Sequence, residues 1–189
     1  MSRVLETELH SAAFPAPRVD EARLGRIVSE HFDVLWRFLR RLGVPESEVD
    51  DAVQEVILVL ARKLDAIEPH AERSFVLSTA FRVASGLRRL WRRRAEVGEE
   101  SLYELEAATR DPEQLSLDLK LCRTLERVLG ELPLDLRAVL VLYELEQMTM
   151  AEISEALALP AGTVASRLRR ARAKFELLAA AALPEGVEP

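Results

Sequence analysis

One cysteine, seven glycines and an aromatic content of 5% are what this 189-residue chain has least of, and each shortage removes a class of explanation. A lone Cys122 cannot build a disulfide framework, so a reducing cytoplasm is the expected setting. It falls within a helical stretch, as a structural thiol does, and no phosphate-cradling glycine loop accompanies it. No apolar run approaches the ~18 residues of a membrane span, and the longest runs only from Leu177 to Leu183. The first twenty residues carry Glu6 and Glu8 and are broken by Pro15 and Pro17, which is not the basic start and apolar core of an export signal. His10, His31 and His70 are scattered without metal-ligand spacing. Asp50 and Asp51 project at adjacent angles from one helix, a poor geometry for acid–base work. No catalytic residue, metal site or cofactor is expected, and no membrane partner. The chain is not expected to be an enzyme.

What is present is an ordinary globular balance, 49% hydrophobic and 31% charged, with apolar residues at helical spacing throughout. The fold class expected is all-α, as two small helical domains on a flexible acidic linker. Leu24, Ile27, Val28, Phe32, Leu35, Leu39 and Leu42 form one stripe that Gly43 ends. Pro45 and Ser47 open a second helix with Val49, Val53, Val56, Leu60 and Leu64 on one face, and a third runs from about Glu72 to Arg94. The pattern lapses over 95–116, where only Leu102, Tyr103 and Leu105 suggest a turn. It resumes at Leu117, Leu121, Leu125 and Leu129 until Pro133. Helices then fit Asp135 to Glu146, Met150 to Leu157 and Thr163 to Leu178. The division expected is a tail over 1–22, a first domain over 23–94, the linker over 95–116, a second domain over 117–182 and a tail over 183–189.

The net charge of −6 is unfavourable for a nucleic-acid binder until it is divided along the chain. Residues 31–94 carry 12 basic and 9 acidic groups, whereas 95–118 carry 1 and 8. Arg88, Arg89, Arg92, Arg93 and Arg94 form one basic cluster, and Arg167, Arg169, Arg170, Arg172 and Lys174 a second. Two basic patches flanking an acidic connector suit DNA contact at two places, although solvated helix faces look the same in sequence.

Thr149-Met150-Ala151-Glu152 has the form of a capping box, and after Leu159-Pro160-Ala161-Gly162 a second cap is available at Thr163. The helix after it buries Val164, Leu168, Ala171, Phe175 and Leu178 and turns Ala165, Ser166, Arg169 and Arg170 outward. Two short helices on a tight turn, the second basic outside, are what a helix-turn-helix inserts into the major groove. A plain helical hairpin is the alternative.

The ordered series Leu132-Pro133 to Arg137, Ala151-Glu152-Ile153 and Gly162-Thr163-Val164-Ala165-Ser166-Arg167-Leu168 with Ala171-Arg172 resembles region 4 of bacterial RNA polymerase sigma factors. The resemblance implies recognition of the −35 promoter element through Thr163, Ala165, Ser166, Arg167, Arg169, Arg170 and Lys174, and contact with the polymerase β flap. Asp51-Ala52-Val53-Gln54-Glu55-Val56 is similar to the region 2 segment that grips the polymerase β′ clamp helices. It implies a core-binding face of Asp50, Asp51, Gln54, Glu55 and Leu58. The stretch Phe75 to Arg89 resembles the helix that engages the −10 element, implying roles for His70, Phe75, Arg82, Ser85, Arg88, Arg89 and Arg92. Within the family the loop Asp65 to Arg73 helps to capture a base flipped from the non-template strand; His70 has the alternative of an ordinary surface histidine.

The sequence departs from the family pattern at Phe75 (often Trp), at Phe81-Arg82 (often Arg-Asn) and at Gly86 (commonly Asp). With regions 2 and 4 joined directly, the chain resembles the extracytoplasmic-function group, whose partners are RNA polymerase core, promoter DNA and, commonly, an anti-sigma factor. A DNA-binding regulator without polymerase and a sigma-like adaptor that opens no promoter are the competing readings.

Overall fold

The computed structural model describes residues 20–96 and 117–182, and among them regular structure is entirely helical. Helices α1 (Glu21–Arg41), α2 (Glu46–Lys63) and α3 (Glu72–Glu96) form a first module. Helices α4 (Leu117–Gly130), α5 (Leu134–Leu140), α6 (Met150–Leu157) and α7 (Ala161–Ala182) form a second. Apart from Ala95 and Glu96, which end α3, the connector 95–116 lies outside the described residues, and so does the turn expected at Leu102, Tyr103 and Leu105.

Local chemistry sets the helix ends. Asp20 caps α1 by accepting the Arg23 amide at 3.0 Å, and Arg40 and Arg41 place cations at its negative end. Gly43 then turns left-handed at φ 90°, so that its N–H reaches the Arg40 carbonyl and the Val44 N–H the Leu39 carbonyl. Helix α5 runs into a single π-type turn, Val141–Leu145, closed by the Glu146 N–H on the Val141 carbonyl. The capping box on α6 is formed as expected, with the Glu152 carboxylate accepting the Thr149 N–H at 2.7 Å. That bond and the Thr149 hydroxyl hold the Glu152 carboxyl below its ordinary pKa.

Three expectations are corrected. Thr163 is not the cap of α7: the helix starts at Ala161, the Pro160 carbonyl accepts the Thr163 and Val164 amides, and Thr163 sits inside the first turn. Left-handed Ala158, at φ 52°, turns the chain early enough for that start. Phe32 lies at the edge of the α1 stripe and is 41% exposed, while Phe38, nearer the stripe's centre, is fully buried. Cys122 is exposed on α4.

Within each module the core is apolar. Leu35, Phe38, Leu39, Val53, Val56, Leu60, Leu77 and Ala80 fill the space between α1, α2 and α3, and Leu136, Val139, Leu142, Ile153, Val164 and Leu168 fill the second module. Each large side chain so buried contributes about 1.5–3 kcal/mol. The buried residues of both modules form one contiguous cluster, because α3 packs on α6 and α1 touches α4.

The seam between modules has a different character. The buried Glu146 carboxylate accepts Arg41 at 2.8 Å and lies 3.6 Å from Arg73, which also donates to the Glu146 carbonyl at 2.7 Å. Arg137 is buried near Gly43 and Arg88, donating to the Gly130 and Leu132 carbonyls, with its Nε unpartnered among the described residues. Burial first, and then the Arg88 cation across the seam, push Arg137 down to about 10, so it remains charged at neutral pH. A Cβ on Gly43 would stand 2.6 Å from the Arg137 guanidinium, so this position needs glycine for space as well as for its positive φ.

Two substitutions test this account of the turns. Thr149→Ala should lower stability by about 1 kcal/mol through loss of the cap. Ala158→Gly should raise it by about 1 kcal/mol by relieving the left-handed alanine. Thermal unfolding should register each as a shift of roughly 2–4 °C, in opposite directions.

Candidate nucleic-acid interface

Helix α7 is long because Val164, Leu168 and Ala171 anchor it on α5 and α6, leaving the opposite side to solvent. On that side Ala165, Ser166, Arg169, Arg170 and Lys174 are exposed, and Thr163 is half-buried at the edge. Small side chains at the leading end permit close approach to a groove wall. Arg169, Arg170 and Lys174 have no ion-pair partner among the described residues. Arg167 does not share this freedom: its Nε lies 3.5 Å from Asp135, which ties the start of α7 to α5. Arg172 stacks 5.1 Å above the Tyr143 ring and pairs with Glu144 at 2.6 Å, bracing α7 against the π-type turn.

On the first module Arg82, Arg89 and Arg92 are exposed along α3. The Arg82 guanidinium donates to the Ser78 hydroxyl at 3.0 Å, which in turn donates to the Phe75 carbonyl. Ser85 is half-buried, and Phe75 is partly buried and packs against the core. Arg88 is half-buried and turned into the seam near Gly43, where burial and then Arg92 lower its pKa. Trp91 packs on the core and donates to Glu48 at 3.2 Å. His70 stands exposed on a 3-10 turn, Pro69–Ala71, well away from α7's basic face in sequence and in module.

The α2 face expected to hold a partner is open. Asp50, Asp51, Gln54 and Glu55 are exposed, and Leu58 at their centre is 56% exposed. Asp50 accepts the Trp36 indole N–H at 3.3 Å, which steadies one edge. Between this face and α3 runs a groove walled by Val59, Val83 and Leu87 and rimmed by Glu55 and Arg82. The buried Thr79 hydroxyl on its lining has no hydrogen-bond partner among the described residues. Nothing lies within 4 Å of a Cβ placed on Gly86, so the departure from the family pattern there is not forced by packing.

Sequence reasoning missed the charged residues that organise these surfaces. Glu146 and Arg137 in the seam, and Arg23 and Glu72 under the loop before α3, carry no periodic signal; their partners lie 41 to 105 residues away, apart from the nearby carbonyls that Arg137 holds. No cluster of three or more histidine, cysteine or carboxylate side chains able to hold a metal occurs among the described residues. No helix among them is long and apolar enough to cross a membrane.

Residues 122–175 match the family described as Sigma-70, region 4. The RNA polymerase sigma factor CnrH of Cupriavidus metallidurans is 32% identical over 171 residues, covering 84% of this chain and 87% of that protein. Its structure in complex with the cytosolic domain of CnrY superposes with a TM-score of 0.63 at 26% identity, covering 86% of this chain and 90% of that one. The ECF RNA polymerase sigma-E factor of Escherichia coli is 32% identical over 139 residues, covering 68% and 72% respectively. The ECF RNA polymerase sigma factor SigE of Mycolicibacterium smegmatis is 29% identical over 77% of this chain, which spans only 57% of that longer protein.

The exposure of the α2 face predicts that it serves no folding role. Glu55→Lys and Leu58→Ala should each shift the free energy of urea unfolding by less than about 0.5 kcal/mol. A larger loss would assign these side chains to the fold.

Proposed function

The chain belongs to the extracytoplasmic-function group of RNA polymerase sigma factors, and from that membership we propose that it binds RNA polymerase core and directs promoter-specific initiation by recognising −35 and −10 elements. The observation that carries this reading is the pairing of an unneutralised basic face on α7 with a second basic run on α3, in separate modules. In the second module, residues 117–182, Arg169, Arg170 and Lys174 read or grip the −35 duplex, with Ala165 and Ser166 allowing the helix close to the bases. Arg167 acts chiefly through Asp135, by orienting the helix.

In the first module, residues 23–94, the acidic α2 face with Leu58 at its centre docks on the β′ clamp helices. Arg82, Arg89 and Arg92 follow the −10 strand while the 65–73 loop, with His70, receives an unstacked base. Arg88 joins them only when the seam opens, since it now faces Arg137. The protein acts in the cytoplasm, where polymerase and DNA meet. A regulatory partner that masks these faces, an anti-sigma factor, fits the occurrence of CnrH in a complex with CnrY.

Geometry adds a requirement. Elements named for positions 35 and 10 lie about 25 base pairs apart, or about 85 Å along B-DNA. A compact body of the described residues measures about 37 Å across by the usual size scaling. Both elements are read at once only if the modules part. A twenty-residue connection has a contour of at most about 70 Å, which together with two modules about 28 Å wide is sufficient.

Reconstitution tests the reading. The purified chain should co-elute with polymerase core and direct transcription from a cognate promoter. Glu55→Lys should weaken core association, while Arg169→Ala should relax discrimination at the −35 element. Specific duplex binding without any affinity for core would establish the regulator reading instead, and core binding without promoter opening the adaptor.

A further inference from the structure

The segment between α2 and α3 is short, polar at its crown and fixed at its base from a distance. Leu64 and Ile67 are 2% and 6% exposed and fasten its first half, while Asp65, Glu68, Pro69 and His70 are exposed. The carbonyls of Leu64 and Ile67 both point at one side chain from α1. The Arg23 guanidinium donates from Nη1 to the Leu64 carbonyl at 3.1 Å and from Nη2 to the Ile67 carbonyl at 2.5 Å. Its Nε donates to the Glu72 carboxylate at 2.9 Å, at the first residue of α3. One planar cation therefore ties the end of α2, the middle of the loop and the start of α3 together. Glu72 is 4% exposed and is held from its other side by Arg26, which touches no loop carbonyl.

The geometry points to Arg23 as a positioning residue for −10 strand capture. The inference rests on the reading of the 65–73 loop as the base-receiving segment. A loop that must accept a base pulled from its stack gains affinity when its shape exists beforehand, because the ordering entropy is then not charged to binding. Arg23 supplies that order through three donors in a fixed plane, which a lysine cannot reproduce at once. Arg26 strengthens the carboxylate's position only, and so separates the two roles. The side chain of Arg23 is itself 23% exposed, and Arg26 still pairs with the buried Glu72 carboxylate when Arg23 is removed, so the apolar core keeps its own packing and charge balance.

The test uses holoenzyme reconstituted from polymerase core and the full chain. The probe is a single-stranded oligonucleotide of the −10 non-template sequence carrying 2-aminopurine at the captured base. Arg23→Ala should reduce binding of this strand, and the fluorescence change that reports unstacking, by about tenfold, the usual scale for losing bonds to a charged donor. Core association and −35 duplex binding should stay within twofold. Arg26→Ala should stay within twofold in all three measurements. Arg23→Lys should fall between wild type and alanine, and it carries the test should the alanine variant fail to fold. Hydrogen exchange of the amides from Ile67 to Glu72 should speed up in Arg23→Ala.

Normal capture by Arg23→Ala overturns the assignment, and so does an equal loss in Arg23→Ala and Arg26→Ala accompanied by weaker core binding. A wild-type holoenzyme indifferent to the −10 strand overturns instead the reading of the loop on which the assignment rests.

Discussion

A carboxylate supplied by one module and neutralised by the other governs how this molecule is arranged. Glu146 follows the π-type turn of the second module, is 6% exposed, and finds its cations in Arg41 and Arg73 of the first. Removing water from such a group is costly, and its guanidinium partners offset that cost only while the two modules touch. Arg137 works the other way: it is a cation buried on backbone carbonyls with Arg88 opposite, so closure carries a like-charge penalty. The seam consequently adds a balance of opposed electrostatic terms to the apolar contact through which α3 packs on α6. Separation hydrates Glu146, Arg41, Arg73 and Arg88 together and also uncovers the apolar contact between α3 and α6.

That balance connects the charge map to function. A chain with a net charge of −6 binds nucleic acid only where its cations are gathered and unpaired. On α7 the pairing is selective: Arg167 and Arg172 pair with Asp135 and Glu144 in holding the helix, and Arg169, Arg170 and Lys174 are exposed without an ion-pair partner among the described residues, which is why the proposed −35 contact is assigned to them. On α3 Arg82, Arg89 and Arg92 are exposed, while Arg88 is half-buried in the seam. The acidic face of α2, with Leu58 exposed at its centre, gives the surface a second sign of charge.

Much of the fold was legible because helices announce themselves within a few residues. The α2 stripe of Val49, Val53, Val56, Leu60 and Leu64 is buried as its spacing required, and the Thr149–Glu152 box formed because both members lie within one turn. The same local logic misplaced the start of α7, since the left-handed Ala158 and the Pro160 carbonyl, not a threonine hydroxyl, determine it. It overvalued Phe32, which a stripe includes at its margin but packing does not cover. Among the site residues, exposure was readable for Glu55, Leu58, Arg169 and Arg170. The pairing of Arg41 with Glu146 spans 105 residues, and the grip of Arg23 on the Leu64 carbonyl spans 41; no periodicity reports such contacts.

The most direct test of the account is the distance between modules in the working complex. Cys122 is exposed on α4 and accepts one spectroscopic label, and Arg62→Cys on α2 provides the second exposed site. In the free chain the two labels should report the closed body. With polymerase core and a promoter bearing both elements, their separation should grow by tens of ångströms, as the span of the DNA demands. A complex that transcribes from that promoter with the labels no further apart would contradict the claim that the modules must part to read DNA.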